Sequence, residues 1–215
     1  MSSHKNKKKF VALTFDIEDW FQVEIFNKLF PIERWDEQEL RVEEGTNKIL
    51  ILLKKYNIKA TFFILGWIAE RKPNLVKSIY KEGHEISSHG YSHKLNYNMS
   101  KTELYDDLQK SKKILENIIN DEVIGYRAPT FSINDEVINA IIKSGYQYDS
   151  SLNQFAKHDT YGSLDKTKVS IVKDNSIFQL NNSLIEFSLP VEKLIGNKIP
   201  FTGGGFFRLY PLWLT

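Results

Sequence analysis

Between residues 10 and 149 the chain alternates short, continuously apolar runs with longer segments of helical periodicity, and each apolar run stops at a polar cluster. Phe10 to Phe15 (FVALTF) reads as a buried strand that ends in Asp16-Ile17-Glu18-Asp19. Glu43 to Tyr56 repeats apolar residues at helical spacing (Ile49, Leu50, Leu53), and Ala60 to Leu65 is a second apolar run. Pro73 opens a helix to about Lys81 that Gly83 closes, and His84 to Ser87 leads as a strand into Ser88-His89-Gly90-Tyr91-Ser92-His93. Ser100 and Glu103 form a capping-box pair that begins an amphipathic helix to about Ile119. A strand from Val123 then runs into Tyr126-Arg127-Ala128-Pro129, a helix spans Asn134 to Ser144, and Tyr146 to Asp149 is a further strand end. Such alternation requires βα units on a parallel sheet, open or closed into a barrel, with loops at the C-terminal strand edge free to assemble a site. Beyond Asp149 the rhythm changes to shorter β-like segments (Val169 to Val172, Ser176 to Leu180, Leu184 to Leu189) and the run Gly203-Gly204-Gly205.

The 215 residues are 41% hydrophobic, enough for one well-buried core. Residues 1–9, with Lys7, Lys8 and Lys9, read as a disordered basic tail and residues 10–215 as one domain. Lys and Arg number 29 against 27 Asp and Glu, a net +2 that lacks the basic surplus of a phosphate-backbone binder, so nucleic acid is not expected as a partner. The N-terminus has no apolar core of signal-peptide length, and the longest apolar stretches fall short of about 20 residues, so no transmembrane segment and a cytoplasmic location are expected. Cysteine is absent, which leaves histidine and carboxylate as the good metal ligands.

Two of the chain's five histidines, His89 and His93, stand four apart just after an apolar strand. With one carboxylate they make a two-histidine, one-carboxylate set that suits Zn2+ or another divalent ion and leaves positions open for water and substrate. The acidic cluster supplies the carboxylate. Strand alternation puts Asp16 and Glu18 on one face, whereas a turn after Ile17 brings Asp19 beside Asp16; a helix from Trp20 to Phe30 capped by these acids is the competing reading. Arg127 has a loop stiffened by Pro129 behind it, and a guanidinium so placed can orient a carboxylate and lower its pKa.

The order strand–Thr-Phe-Asp…Asp, Ser-His-x-x-x-His, Arg-x-Pro and Tyr-Asp-Ser-Ser resembles the NodB-homology polysaccharide deacetylases, carbohydrate esterase family four, over about residues 10 to 152. Asp16 to Val23 and the Phe201 to Pro211 segment resemble the branch found in exopolysaccharide-export gene clusters. The resemblance implies a distorted (β/α) barrel of about seven strands. It implies Asp16 as catalytic base, Arg127 as the residue that orients it, and His89, His93 and one carboxylate as ligands of a divalent metal, Zn2+ first and Co2+, Ni2+ or Mn2+ as alternatives. The carboxylate is expected to be Asp19, with Glu18 as the alternative. The backbone N–H of Thr130 is the implied oxyanion donor, and Asp149 the groove-shaping residue of a fourth motif whose usual Trp is missing.

The implied reaction is hydrolysis of the N-acetyl amide of an amino sugar in a polysaccharide or its lipid-linked precursor, at the inner face of the membrane in exopolysaccharide biosynthesis. The resemblance also implies a late histidine that protonates the leaving amine. Only His158 follows His93, in an unmatched Lys-His-Asp context, and the final Tyr210-Pro211-Leu212-Trp213 reads as a helix start with no ending, so a C-terminally truncated chain is expected. Two other functions fit the pattern: a non-catalytic carbohydrate-binding relative, and a hydrolase of a small non-peptide amide.

Overall fold

The computed structural model describes residues 11–153, 162, 164, 169–173, 176–181, 183–194 and 197–200. The basic tail, His158, the triple glycine and the Phe201–Thr215 segment lie outside the described residues. Ten strands and five α-helices are described: β1 (Thr14–Ile17), α1 (Val42–Tyr56), β2 (Thr61–Ile64), α2 (Gly66–Arg71), α3 (Pro73–Lys81), β3 (Glu85–Ser88), α4 (Lys101–Ile119), β4 (Gly125–Tyr126), α5 (Asp135–Lys143), β5 (Tyr148–Asp149), β6 (Val169–Lys173), β7 (Ile177–Leu180), β8 (Leu184–Phe187), β9 (Val191–Leu194) and β10 (Asn197–Pro200).

Eight of the strands form one mixed sheet in the order β1-β2-β3-β4-β5-β8-β7-β6, and β9 pairs with β10 in a separate hairpin. Strands β1 to β5 are all parallel, each step crossing over through helix, and β8 joins β5 in parallel before β7 and β6 complete an antiparallel meander. The seven strands implied by the resemblance thus become eight. Sequence pattern distinguishes the two halves: β2 and β3 are buried at three consecutive positions, as strands covered on both faces are, whereas β7 and β8 alternate buried with partly exposed residues. The sheet is mixed α/β in character, and among the described residues β1 and β6 form its two edges.

The core lies between the sheet and its helices, with Phe62, Ile64, Leu65, Ile68, Ile79, Leu108, Leu115 and Ile141 all within a per cent of complete burial. Helix α4 carries the expected capping box: the Ser100 hydroxyl accepts from the Glu103 N–H and the Glu103 carboxylate accepts from the Ser100 N–H. Helix α2 has no expectation in the sequence. It starts at Gly66 because a side chain there would stand 2.9 Å from Ser111 Oγ and 3.0 Å from Tyr91, so only glycine lets α2 press against α4. The helix from Trp20 to Phe30 of the competing reading is absent; the segment is a loop with a short 3-10 turn at Glu24–Phe26. Among the described residues no helix is long and apolar enough to cross a membrane.

Register places the C-terminal ends of β1, β3, β4 and β5 side by side, with Asp16 opposite Phe63, Ser88 opposite Tyr126 and Tyr126 opposite Asp149. Successive side chains on a strand point to opposite faces. Asp16, Phe63, Arg127, Tyr148 and Ser150 therefore share the face away from the helices, and Ser88, Tyr126 and Asp149 share the helix-facing side.

Candidate active site

Arg127 follows directly on β4, is 6% exposed and ties three strands together. Its Nη1 donates to Asp16 Oδ1 at 2.7 Å and to Thr14 Oγ1 at 3.0 Å on β1. Its Nε and Nη2 donate to the Ser150 carbonyl and hydroxyl at 2.9 and 3.0 Å, just past β5. The guanidinium carbon lies 4.1 Å from the centre of the Phe63 ring, which closes off its remaining face. Burial alone would raise the Asp16 pKa, but the Arg127 guanidinium beside it, with smaller help from His89 and His93, holds the carboxyl below its ordinary value. Asp16 is thus an ionised carboxylate with one oxygen fixed by arginine.

Two residues along the same face, Glu18 meets His89 and His93, and one ligand atom from each lies within 4.8 Å of the others. Both histidines are buried, at 2% and 5% exposure. His89 donates from Nδ1 to the Arg127 carbonyl at 2.8 Å, which fixes its tautomer and leaves Nε2 with a free lone pair. Burial keeps the His89 pKa below the imidazole value despite its acidic neighbours. Glu18 Oε2 approaches His93 Nε2 to 2.5 Å. Burial opposes the charging of both, yet their mutual attraction wins, raising the His93 pKa and lowering that of Glu18. Among the described residues His93 Nδ1 is nevertheless buried without a hydrogen-bond partner. Orphaned buried polar atoms are costly, and a carboxylate oxygen crowded against two imidazoles is what a divalent ion would satisfy. The donor set of one oxygen and two nitrogens fits such an ion.

The loop that carries the histidines is held from outside by Asp107 on α4. Its carboxylate accepts the Tyr91 N–H at 2.7 Å, the Ser92 N–H at 3.0 Å and the Ser92 hydroxyl at 2.5 Å. Gly90 has φ +74°, and a Cβ there would approach Asp107 Oδ2 to 3.0 Å, so the turn needs glycine twice over. His93 itself adopts φ +51°. Asp107 is a site residue that the sequence reading missed, because nothing in α4's apolar periodicity marks an acid that works 15 residues away.

Asp19 is not brought to the histidines. It is 4% exposed, and its carboxylate accepts the N–H groups of Trp20 at 2.9 Å, Arg41 at 2.7 Å and Val42 at 2.9 Å. The last two are orphan donors at the start of α1, where a negative charge also meets the positive end of the helix. Of the two carboxylates considered, Glu18, on the strand face of Asp16, stands with the imidazoles, whereas Asp19, the one expected there, caps a helix. Asp149, expected to shape the groove, is fully buried on the helix-facing side, where its Oδ1 accepts from the Ser151 hydroxyl at 2.7 Å.

Thr130 lies in the short turn Pro129–Phe131 and adopts φ 51°, ψ 25°, with Phe131 also at positive φ. Among the described residues its N–H meets no acceptor. Pro129 and the Ala128 N–H, which donates to Ser151 Oγ at 2.8 Å, hold this turn beside Arg127.

Residues 3–148 match the family model described as Polysaccharide deacetylase, and residues 150–215 match one described as Domain of unknown function (DUF3473). A peptidoglycan-N-acetylglucosamine deacetylase of Bacillus cereus is 38% identical over 102 residues, 47% of this chain and 47% of that protein. A peptidoglycan deacetylase of Helicobacter pylori is 34% identical over 110 residues, 51% of this chain and 38% of that protein. The chain thus matches less than half the length of these curated relatives. Among solved structures, BA3943, described as a CE4 family pseudoenzyme from Bacillus anthracis, is 27% identical with a TM-score of 0.53 over 65% of this chain and 42% of its own. A polysaccharide deacetylase homologue from Mycobacterium smegmatis, at 23% identity, shares the fold with a TM-score of 0.59 over 90% of this chain and 64% of its own. With residues 3–148 matched, about two thirds of its length, and the strand-end carboxylates and histidines falling inside that match, the chain belongs to the polysaccharide deacetylase family.

Proposed function

We propose that the protein hydrolyses the N-acetyl amide of an amino sugar in a polysaccharide and releases acetate. One observation carries the reading: the Glu18, His89 and His93 group stands on the same strand edge as an Asp16 carboxylate held ionised by Arg127. Glu18, His89 and His93 would hold a divalent ion, Zn2+ first among the choices, whose charge polarises an amide carbonyl and acidifies water. Asp16, with Oδ1 fixed by Arg127, accepts the proton of the attacking water at its other oxygen. The Thr130 N–H, without an acceptor among the described residues, donates to the oxyanion that forms on the carbonyl oxygen. Arg127 keeps the base in place throughout, because it is itself pinned by Ser150 and Thr14. The departing nitrogen takes the proton that Asp16 accepted from the attacking water, so that the free amine and acetic acid, which ionises to acetate, leave and Asp16 is ionised again. Among the described residues the third histidine, His84, accepts the Ala60 N–H at 3.3 Å at the far end of the strands, and takes no part.

The relatives named above act, by their names, on peptidoglycan, so polymers of N-acetylated glucosamine are the first substrates to offer, with exopolysaccharide precursors next. The experiment is acetate release from such oligomers by protein loaded with Zn2+, beside Asp16→Asn and Glu18→Gln. Release by the wild type that both variants abolish supports the proposal. Ion binding without release from any N-acetylated glycan overturns it in favour of a carbohydrate-binding relative, a reading kept open by the fold shared with a pseudoenzyme.

A further inference from the structure

Behind the site, on the helix-facing side of the sheet, two acids are buried against each other. Asp149 on β5 and Glu186 on β8 are register partners in the parallel β5–β8 pair, and each has 0% exposure. Asp149 Oδ1 accepts the Ser151 hydroxyl at 2.7 Å, and Glu186 Oε1 accepts the Leu152 N–H at 2.8 Å. Among the described residues the other two oxygens, Asp149 Oδ2 and Glu186 Oε2, have no hydrogen-bond partner outside the pair. Carboxylates only accept, so two ionised groups in this position would leave both oxygens unsatisfied and place two like charges side by side in a low dielectric. One proton removes both penalties: a protonated Glu186 donates to an ionised Asp149. The surroundings favour that distribution. Arg127 attracts negative charge onto Asp149, while Asp149 and burial push the Glu186 pKa well up; the other ionisable group facing Asp149 is the Tyr126 phenol, which burial holds neutral.

The pair is connected to the catalytic edge through short steps. Ser151 Oγ, which donates to Asp149, accepts the Ala128 N–H at 2.8 Å, and Ala128 stands between Arg127 and the Pro129–Thr130 turn. Ser150, between Asp149 and Ser151, takes two donors of Arg127 and gives its hydroxyl to the Phe187 carbonyl at 2.8 Å on β8. The Tyr-Asp-Ser-Ser segment is therefore a bracket that ties the strand β8 to the residues holding the base and the oxyanion donor.

We infer that Asp149 and Glu186 share a single proton and act as a positioning pair that fixes Ser151 and, through it, the Arg127–Thr130 segment in reactive geometry. Its catalytic consequence rests on the deacetylase reading, whereas the shared proton does not, and the test separates them. Infrared spectra at pH 7 are expected to show the C=O stretch of one protonated carboxylic acid, sensitive to deuterium and absent in Glu186→Gln. Lack of that band in the wild type overturns the shared proton whatever the activity. Glu186→Gln keeps a donor toward Asp149 and is expected to retain kcat within about threefold, whereas Glu186→Leu leaves Asp149 a lone buried charge and is expected to lower kcat by about a hundredfold at unchanged KM and ion content, the scale of a displaced catalytic group. Ser151→Ala, which only unlinks Asp149 from the Ala128 N–H, tests the same link if the leucine variant fails to fold, with an expected loss of about tenfold in kcat. Wild-type kcat in Glu186→Leu or Ser151→Ala, or equal losses in the glutamine and leucine variants, overturns the positioning role.

Discussion

Asp19 and Glu18 are neighbours in sequence with opposite jobs, and exchanging their side chains for inert ones should separate stability from ion binding. Asp19→Ala removes the acceptor of the Arg41 and Val42 N–H groups, both at the start of α1. The side chain is 4% exposed, so water does not readily replace it, and each abandoned N–H costs about 1–3 kcal/mol. Taking the lower half of that range for two donors and adding the lost interaction with the helix N-terminus gives about 3 kcal/mol, above the roughly 2 kcal/mol upper end for loss of a single cap because two buried donors are abandoned. For a domain of 150–250 residues this is a fall in Tm of about 6–12 °C. Asp19→Asn keeps one oxygen for the pair of donors and should lose about a third of that. Glu18→Gln takes no backbone donor away and should leave Tm within about 2 °C when both proteins are compared in chelator. Elemental analysis after loading with Zn2+ gives the other half: about one ion per chain in Asp19→Ala, and none in Glu18→Gln, on the usual loss when a ligand carboxylate is neutralised. An Asp19→Ala protein that melts like the wild type and binds no ion would refute the assignment of both residues.

Three further outcomes follow from the same contacts. Arg127→Ala strips Asp16 of the partner that holds its pKa down and leaves burial to push it up. The stability of the pair is present above the unfolded carboxyl value and lost as pH falls through the lower folded value, so the variant should be destabilised at neutral pH by about 3 kcal/mol, with the acid limb of its rate profile moved to higher pH. An unmoved limb would count against Asp16 as the base. Gly90→Ala must place a Cβ at φ +74° within 3.0 Å of Asp107 Oδ2, and urea unfolding should show a loss of about 1–2 kcal/mol together with weaker ion binding. Ser100→Ala removes one half of the α4 capping box and should cost about 1 kcal/mol in the same assay without touching ion content.

Where local chemistry decided the structure, the sequence could be read closely. Pro73 at the first helical position and Gly83 beyond the last delimit α3 at Pro73–Lys81, and Ser100 with Glu103 marks the start of α4, because caps act within one turn of their own residues. Strand β1 was displaced by several residues from the apolar run Phe10 to Phe15. Pairing with β2 continues through Asp16 and Ile17, and an acid at a strand end is tolerated because Arg127 waits beside it. Helix α2 escaped notice since Trp67, Ile68 and Ala69 are all buried, which erases the amphipathic period that reveals a helix. In the site, residue types and order pointed to His89, His93, Asp16 and Arg127, and the structure brings these together. The choice between Glu18 and Asp19 depended on the start of α1, 22 residues further on, which no local pattern announces. The motif order pointed to Asp149 as a groove residue, but only the pairing of β5 with its neighbours turns it toward the helices.

The contacts of Arg127 also bear on how the protein folds. Its hydrogen bonds to Asp16 and Thr14 join residues 111 and 113 positions apart, while those to Ser150 span only 23. Contacts of such long range close late, because the intervening parallel strands must first pay the entropy of their crossovers. The base is therefore correctly oriented only once β1 has docked on β2 and the sheet has grown across to β5. Catalytic competence should return as one of the last events of refolding, after helix formation is complete by circular dichroism, and a nascent chain should stay inactive until β5 has emerged and paired.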